Sequence, residues 1–227
     1  MVVLLMLPCG IQGQSSSKVS VESVTETLQN GKLITIKASH YFEFPGGRII
    51  TWNLSPERFM YVSNPFGEAR MYDPVKNTVT YRKDPTFSSK NHSLYQFLTN
   101  QHYDLGLQEL GFRATGSREE NGLTITTWQA PSALMHQVNR IELVHEKLLP
   151  IYAGYINTKG ETTLKIYYSD FVSVAGTMVP SRVTEIIFMA PEDSTIRRST
   201  YTHFRTGKAT PPEGFNLTIP SDAKVVQ

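Results

Sequence analysis

Six histidines, His40, His92, His102, His136, His145 and His203, are the side chains of this 227-residue chain best suited to proton transfer or metal binding. Their spacing argues against both. No two stand at the four-residue interval that places ligands on one helix face, and His145-Glu146 continues as Lys-Leu-Leu without the second histidine of a zinc-protease motif. Neither a nucleophile elbow of the G-x-S-x-G type nor a glycine-rich phosphate loop is present. Glu119-Glu120 could suggest a carboxylate pair, but the adjoining Asn121-Gly122 makes a solvated turn the better reading. His40 and His203 fall inside alternating runs, where a histidine is more often a packed or edge residue than a ligand. No catalytic residue, metal site or cofactor is therefore expected, and the chain is not read as an enzyme.

Cys9 is the only cysteine. It lies in the apolar opening M-V-V-L-L-M-L-P-C-G-I-Q-G-Q, which resembles the second half of a secretory signal without its basic start. Residues 1–14 are read as a signal cut near Gln14, and Met1–Leu7 is too short to cross a bilayer. A lipid anchor on Cys9 would favour Leu and a small residue where Met6 and Pro8 stand. Cleavage would leave an exported, periplasmic protein without disulfides or thiolate chemistry. Twenty-two basic and twenty acidic residues, spread evenly, give a net charge of +2 and no electrostatic footprint for nucleic acid.

What the chain has in quantity is apolar and aromatic side chain carrying no reactive group. Aromatics make up 11% of the residues and recur inside alternating runs. Each could fill an ordinary core. Together, on one sheet with little helix to cover it, they favour an apolar hollow, and Phe42, Phe44, Trp52, Phe59, Tyr61, Tyr81, Trp128 and Tyr168 are its candidate lining. Transfer of one acyl chain of about sixteen carbons out of water would release roughly 12 kcal/mol gross, at ~0.8 kcal/mol per methylene.

The elements that position these residues are mostly strands. Arg58 to Arg82 holds three alternating runs separated by Asn-Pro-Phe-Gly and Asp-Pro-Val-Lys-Asn, which reads as an antiparallel meander. Val19–Gln29 and Leu33–Phe44 flank Asn30-Gly31, the strongest short hairpin signal, and Arg48–Leu54 follows Pro45-Gly46-Gly47. After a loop, Asn91–Asn100 places Leu94, Phe97 and Leu98 at helical spacing, and a second short helix is expected over Asp104–Leu110, stopped by Gly111. Strands then resume at 112–117, 123–129, 140–146, 151–156 and 162–171. Val172–Met178 is expected to be irregular, 180–189 and 194–205 form a long pair across Ala-Pro-Glu-Asp, and Phe215–Pro220 closes the set. The sum is a mainly β, single-domain chain over residues 15–227: one curved antiparallel sheet of about a dozen strands, an incomplete, half-open barrel lidded by one or two short helices.

Three stretches carry a family resemblance: S-P-E-R-F-M-Y-V-S from Ser55, M-Y-D-P-V-K-N-T-V from Met71 and F-N-L-T-I-P-S-D-A-K-V from Phe215. In that order, behind an exported start, they resemble the LolA-like periplasmic lipoprotein carriers over nearly all of the mature chain. The resemblance implies a half-barrel that holds the acyl chains of outer-membrane lipoproteins. It also implies a donor, an inner-membrane releasing complex, and an acceptor, an outer-membrane receptor, with a monomeric shuttle between them. Leu94, Phe97 and Leu98 would form the lid. Two departures stand out: the chain opens on a strand hairpin instead of an amphipathic helix, and Ser55 occupies the place of the arginine that latches the lid, leaving Arg58 as the candidate latch. A non-carrier envelope protein of the same fold, binding another hydrophobic ligand or serving as an interaction scaffold, is the alternative. In the scaffold case the hollow would be plugged by the chain's own rings.

Overall fold

The computed structural model describes residues 17–44, 46–190, 193–216 and 218–226. Fourteen strands form one sheet: β1 (Lys18–Gln29), β2 (Lys32–Glu43), β3 (Arg48–Ser55), β4 (Phe59–Ser63), β5 (Glu68–Asp73), β6 (Thr78–Lys83), β7 (Arg113–Glu120), β8 (Leu123–Gln129), β9 (Arg140–Glu146), β10 (Leu149–Ile156), β11 (Thr162–Val174), β12 (Thr177–Ala190), β13 (Asp193–Thr206) and β14 (Lys224–Val226). The order is β14-β6-β5-β4-β3-β2-β1-β13-β12-β11-β10-β9-β8-β7. Every neighbouring pair is antiparallel except β14 with β6. The sheet curves without closing into a barrel. The expected signal peptide and Cys9, and the turn at residues 191–192, lie outside the described residues.

This order dictates where the lid goes. β1 pairs with β13 in mid-sheet, so two meanders run outward from the centre in opposite directions. β6 ends near one edge and β7 forms the other. The connection between them, residues 84–112, therefore has to cross a whole face of the sheet. It does so through two 3-10 turns, Pro85–Phe87 and Ser89–Asn91, then one short helix, α1 (Tyr95–Leu98), and a run of turns.

Asn30 and Gly31, with φ of 50° and 70°, make the β1–β2 turn and set Val21 opposite His40 and Leu28 opposite Leu33. Three expectations require correction. Asp104–Leu110 is not a helix: Leu105 and Gly106 take φ of 50° and 80°, and Asp104 accepts from the Gly106 and Gln108 N–H groups to stabilise turns instead. Val172–Met178 is not irregular but the end of β11 and start of β12, joined by Ala175-Gly176 with φ of 50° and 86°. Phe215–Pro220 is not a strand; β14 comes later and pairs parallel to β6.

Period-two alternation divides the apolar residues between the two faces. The lid face carries the main core, including Val21, Phe42, Leu94, Phe97, Trp128 and Leu143. The opposite face carries a smaller cluster, Ile50, Met60, Tyr72 and Val79, covered by Ile219 and Ala223 from the C-terminal segment. Edge strand β7 is exposed throughout, and its Arg113, Arg118, Glu119 and Glu120 discourage pairing with a further strand.

Candidate functional site

The lid is anchored at both ends. At its start, Ser88 Oγ donates to the Pro65 carbonyl at 3.0 Å, the Ser89 N–H to the Asn64 carbonyl at 3.0 Å, and Tyr61 OH to the Phe87 carbonyl at 3.3 Å. Beyond α1, Thr177 Oγ1 of β12 donates to the Phe97 carbonyl at 3.2 Å, and His145 Nε2 lies 2.9 Å from the His102 carbonyl. Between these anchors Leu94 and Phe97 are wholly buried. Phe97 packs its ring against Tyr168, Phe171 and His102, with centroids 5.1, 6.1 and 5.5 Å away.

Two spaces remain beneath and beside the lid. One cavity of about 260 Å³ lies between His92, Gln96, Phe97 and Leu110 on the lid side and Leu143, Tyr155, Ile166 and Tyr168 on the sheet. Lys90 and Glu109, paired at 2.6 Å, also border it. A second, of about 420 Å³, lies between Phe44 and Leu98 and the β11–β12 turn. Phe97 faces the first and Leu98 the second, so α1 partitions them.

The residues predicted from sequence thus distribute unequally. Phe97 and Tyr168 line the first cavity; Phe44 and Leu98 line the second. Phe42, Leu94 and Trp128 belong to the core between, and the register of β3 and β4 places Phe59 and Tyr61 on the lid face. Trp52 and Tyr81 do not join them. Trp52 packs on the opposite-face cluster, and Tyr81 lies there under Arg70 at 5.7 Å. The reason is parity: Ile49, Thr51 and Asn53 take the lid-facing positions of β3 and send Trp52 outward. Arg58, the expected latch, lies over the Trp52 ring at 5.8 Å, on the side away from the lid.

Sequence reasoning did not find the polar cluster that does join lid to sheet. His92, just after the second 3-10 turn, stands edge-on to His40 of β2, centroids 4.8 Å apart, with His92 Nε2 3.4 Å from His40 Nδ1. His40 also contacts Ser23 Oγ at 2.8 Å and Thr51 Oγ1 at 3.0 Å. The neighbouring Ser93 hydroxyl meets Tyr201 OH of β13 at 2.7 Å. Burial lowers the His92 pKa to about 4, and burial, then the charge of His92, takes His40 well below the ordinary imidazole value. Both rings are neutral at pH 7. Tyr201→Phe is expected to reduce stability by about 1 kcal/mol, because it leaves the Ser93 hydroxyl without its partner; urea denaturation would measure this.

Acid–base groups here are few. Burial raises the Tyr168 hydroxyl well above its usual pKa, and Glu185, which borders the first cavity, is paired with Arg197. No group of three or more metal-binding side chains occurs among the described residues. The arrangement is a mixed polar and apolar space under the lid, with the charges at its border paired with each other.

A search for known folds finds the same architecture in structures of very different sequence. An outer membrane lipoprotein-sorting protein domain from Vibrio parahaemolyticus superposes with a TM-score of 0.61 at 11% identity, over 88% of this chain and 89% of that one. A LolA superfamily protein from Nitrosomonas europaea gives 0.58 at 8% identity, over 89% and 91%. The fold is LolA-like. A DUF1329 family protein from Desulfovibrio piger shares it, with a TM-score of 0.63 and 15% identity over 90% of this chain and 92% of that one. No protein-family model and no curated protein matches the sequence. Identities this low carry the fold and leave function to the geometry. The LolA-like sheet here differs from the sequence expectation chiefly in having fourteen strands and one four-residue helix.

Proposed function

We propose that this chain is a periplasmic carrier that takes acyl chains of lipoproteins or lipids into the space between sheet and lid and shuttles them toward the outer membrane. The observation that carries the reading is an apolar sheet face covered by a lid with residual cavities on both sides of α1. The fold it shares with a lipoprotein-sorting domain supports the same reading. The cycle involves no bond making, so neither cofactor nor catalytic group is required. Delivery from an inner-membrane releasing complex to an outer-membrane receptor, by a monomer, completes the proposal.

Of the two spaces, that of about 260 Å³ exceeds the ~150 Å³ that accommodates one benzene but falls below the ~300 Å³ at which pockets for drug-sized ligands begin, and that of about 420 Å³ lies above it. On this reading the structure is the closed form, and cargo enters by lifting α1. Exposing Leu94 and Phe97 costs about 1.5–3 kcal/mol each, against roughly 12 kcal/mol gross for one buried acyl chain of about sixteen carbons. Cargo therefore has enough differential affinity to hold the lid open.

A second reading, an envelope scaffold of the same fold, is favoured by the complete burial of Phe42, Phe97 and Trp128 in the concavity. Native mass spectrometry of protein isolated from a periplasmic extract, followed by titration of the delipidated protein with a fluorescent fatty acid, separates the two. The carrier reading expects co-purified lipid and saturable uptake. Protein that arrives empty and stays empty across the titration supports the scaffold.

A further inference from the structure

We propose that the His40–His92 pair, with Ser23 and Thr51 behind it, is a proton-operated latch that holds the lid on the sheet at neutral pH and releases it on acidification. This inference supplies the gate for the carrier reading but concerns the lid alone.

The hydrogen bonds fix the argument. The Leu94 N–H donates to His92 Nδ1 at 3.2 Å, so that nitrogen is an acceptor and the neutral ring carries its proton on Nε2. His92 Nε2–H points to His40 Nδ1, which makes Nδ1 an acceptor too and leaves His40 Nε2–H to donate to Ser23 Oγ. Tautomers assigned in this way satisfy every ring nitrogen. An added proton on His92 Nδ1 would face the Leu94 N–H, and on His40 Nδ1 it would face His92 Nε2–H, with only the Thr51 hydroxyl at 3.0 Å left to accept it. Either case sets donor against donor where the lid's imidazole meets that of the sheet.

Beyond the Ser23 and Thr51 hydroxyls, the rings packed on the pair offer an imidazolium no counter-charge. Facing the pair are Phe42 at 5.0 Å from His92, and Tyr201, whose ring lies 6.3 Å from His40 and 6.4 Å from His92. Tyr201 is itself neutral, its hydroxyl pushed up by burial, and the Glu185 and Arg197 charges that influence it pair with each other. Glu109 and Glu185 border the cavity that His92 lines, and each is paired with a cation, Lys90 and Arg197 respectively. Relief comes from moving the ring that is free to move, and His92 is on the lid.

The direction follows from linkage. A histidine whose pKa is depressed in the closed state and ordinary in the open one favours closure fully above about pH 6.5 and loses that contribution as pH falls toward 4. Between pH 7.5 and 5.0 His92 alone shifts the closed-to-open ratio by about 25-fold, and His40 acts in the same sense.

Hydrogen–deuterium exchange of the full chain without lipid, at pH 7.5 and 5.0 and corrected for intrinsic rates, tests the latch. The amides of Leu98, which ends α1, and of Thr99, which caps it, are expected to lose about 25-fold protection at pH 5.0 while β12 and β13 keep theirs. In His92→Gln most of that pH dependence should be lost. Should the variant fail to fold, the wild-type comparison decides alone. Equal lid protection at both pH values overturns the latch, and so does simultaneous loss from lid and strands, which is acid unfolding. Because no lipid is present, a negative result leaves fatty-acid uptake at neutral pH as a separate question.

Discussion

Phe97→Ala is expected to weaken the fold and strengthen ligand binding at once. The ring is wholly buried and wedged against Tyr168, Phe171 and His102, so its loss should reduce unfolding free energy by about 3–5 kcal/mol. It also lines the 260 Å³ cavity, and its removal enlarges the space that cargo needs. A lid without that ring has about 1.5–3 kcal/mol less apolar surface to expose on opening, which corresponds to roughly 10- to 100-fold tighter uptake of a fluorescent fatty acid. Opposite signs on the two measurements are the signature of a plug that yields to cargo. A variant that loses stability with no gain in uptake would place Phe97 in an ordinary core and remove the main support for the carrier.

That experiment turns on a residue legible from sequence, since Leu94, Phe97 and Leu98 announce themselves by helical spacing. Strand positions were equally legible. Arg140–Glu146 matches β9 at both ends because a strand buried at every second residue writes its period into the chain. Lengths and helices were less so. Over Asn91–Asn100 the spacing was right but the helix is only four residues, because His92 holds extended backbone, φ −69° and ψ 130°, to reach His40. Leu105 breaks the second expected helix with a left-handed φ that no leucine advertises.

The face of a residue was the harder question. Trp52 and Tyr81 alternate as well as Phe42 does, yet parity alone does not say which parity meets the lid; that depends on a chain segment arriving from the far edge of the sheet. The histidine pair was invisible for a related reason. His40 and His92 stand 52 positions apart on elements of different kinds, and only the crossing of the sheet brings them to 3.4 Å. His40 read as a packed strand residue, which it is; His203, read the same way, is exposed on β13 with φ 55° and lies 3.1 Å from Glu22.

The crossing begins at one turn, and Gly67→Ala should disable it. The Gly67 carbonyl accepts from the Asp84 N–H at 3.1 Å, and Asn64 accepts from the N–H groups of Gly67 and Ser89 at 3.2 and 3.0 Å, so the turn holds the lid's first residues. At φ +75° a methyl group would overlap the Asp84 carbonyl oxygen and lie 2.7 Å from its carbon. Both obstacles are backbone, which cannot rotate aside as a side chain can. Left-handed strain of about 1 kcal/mol and a clash of about 1–3 kcal/mol together predict a loss of roughly 2–4 kcal/mol. Gly122 provides the control, with φ +79° and open space where its methyl group would sit. Gly122→Ala should lose only the strain, about 1 kcal/mol. Urea denaturation of the two variants isolates the clash by difference. If Gly67→Ala costs no more than Gly122→Ala, segment 84–89 is free to shift, and the turn at Asn64–Gly67 is not what fixes the base of the lid.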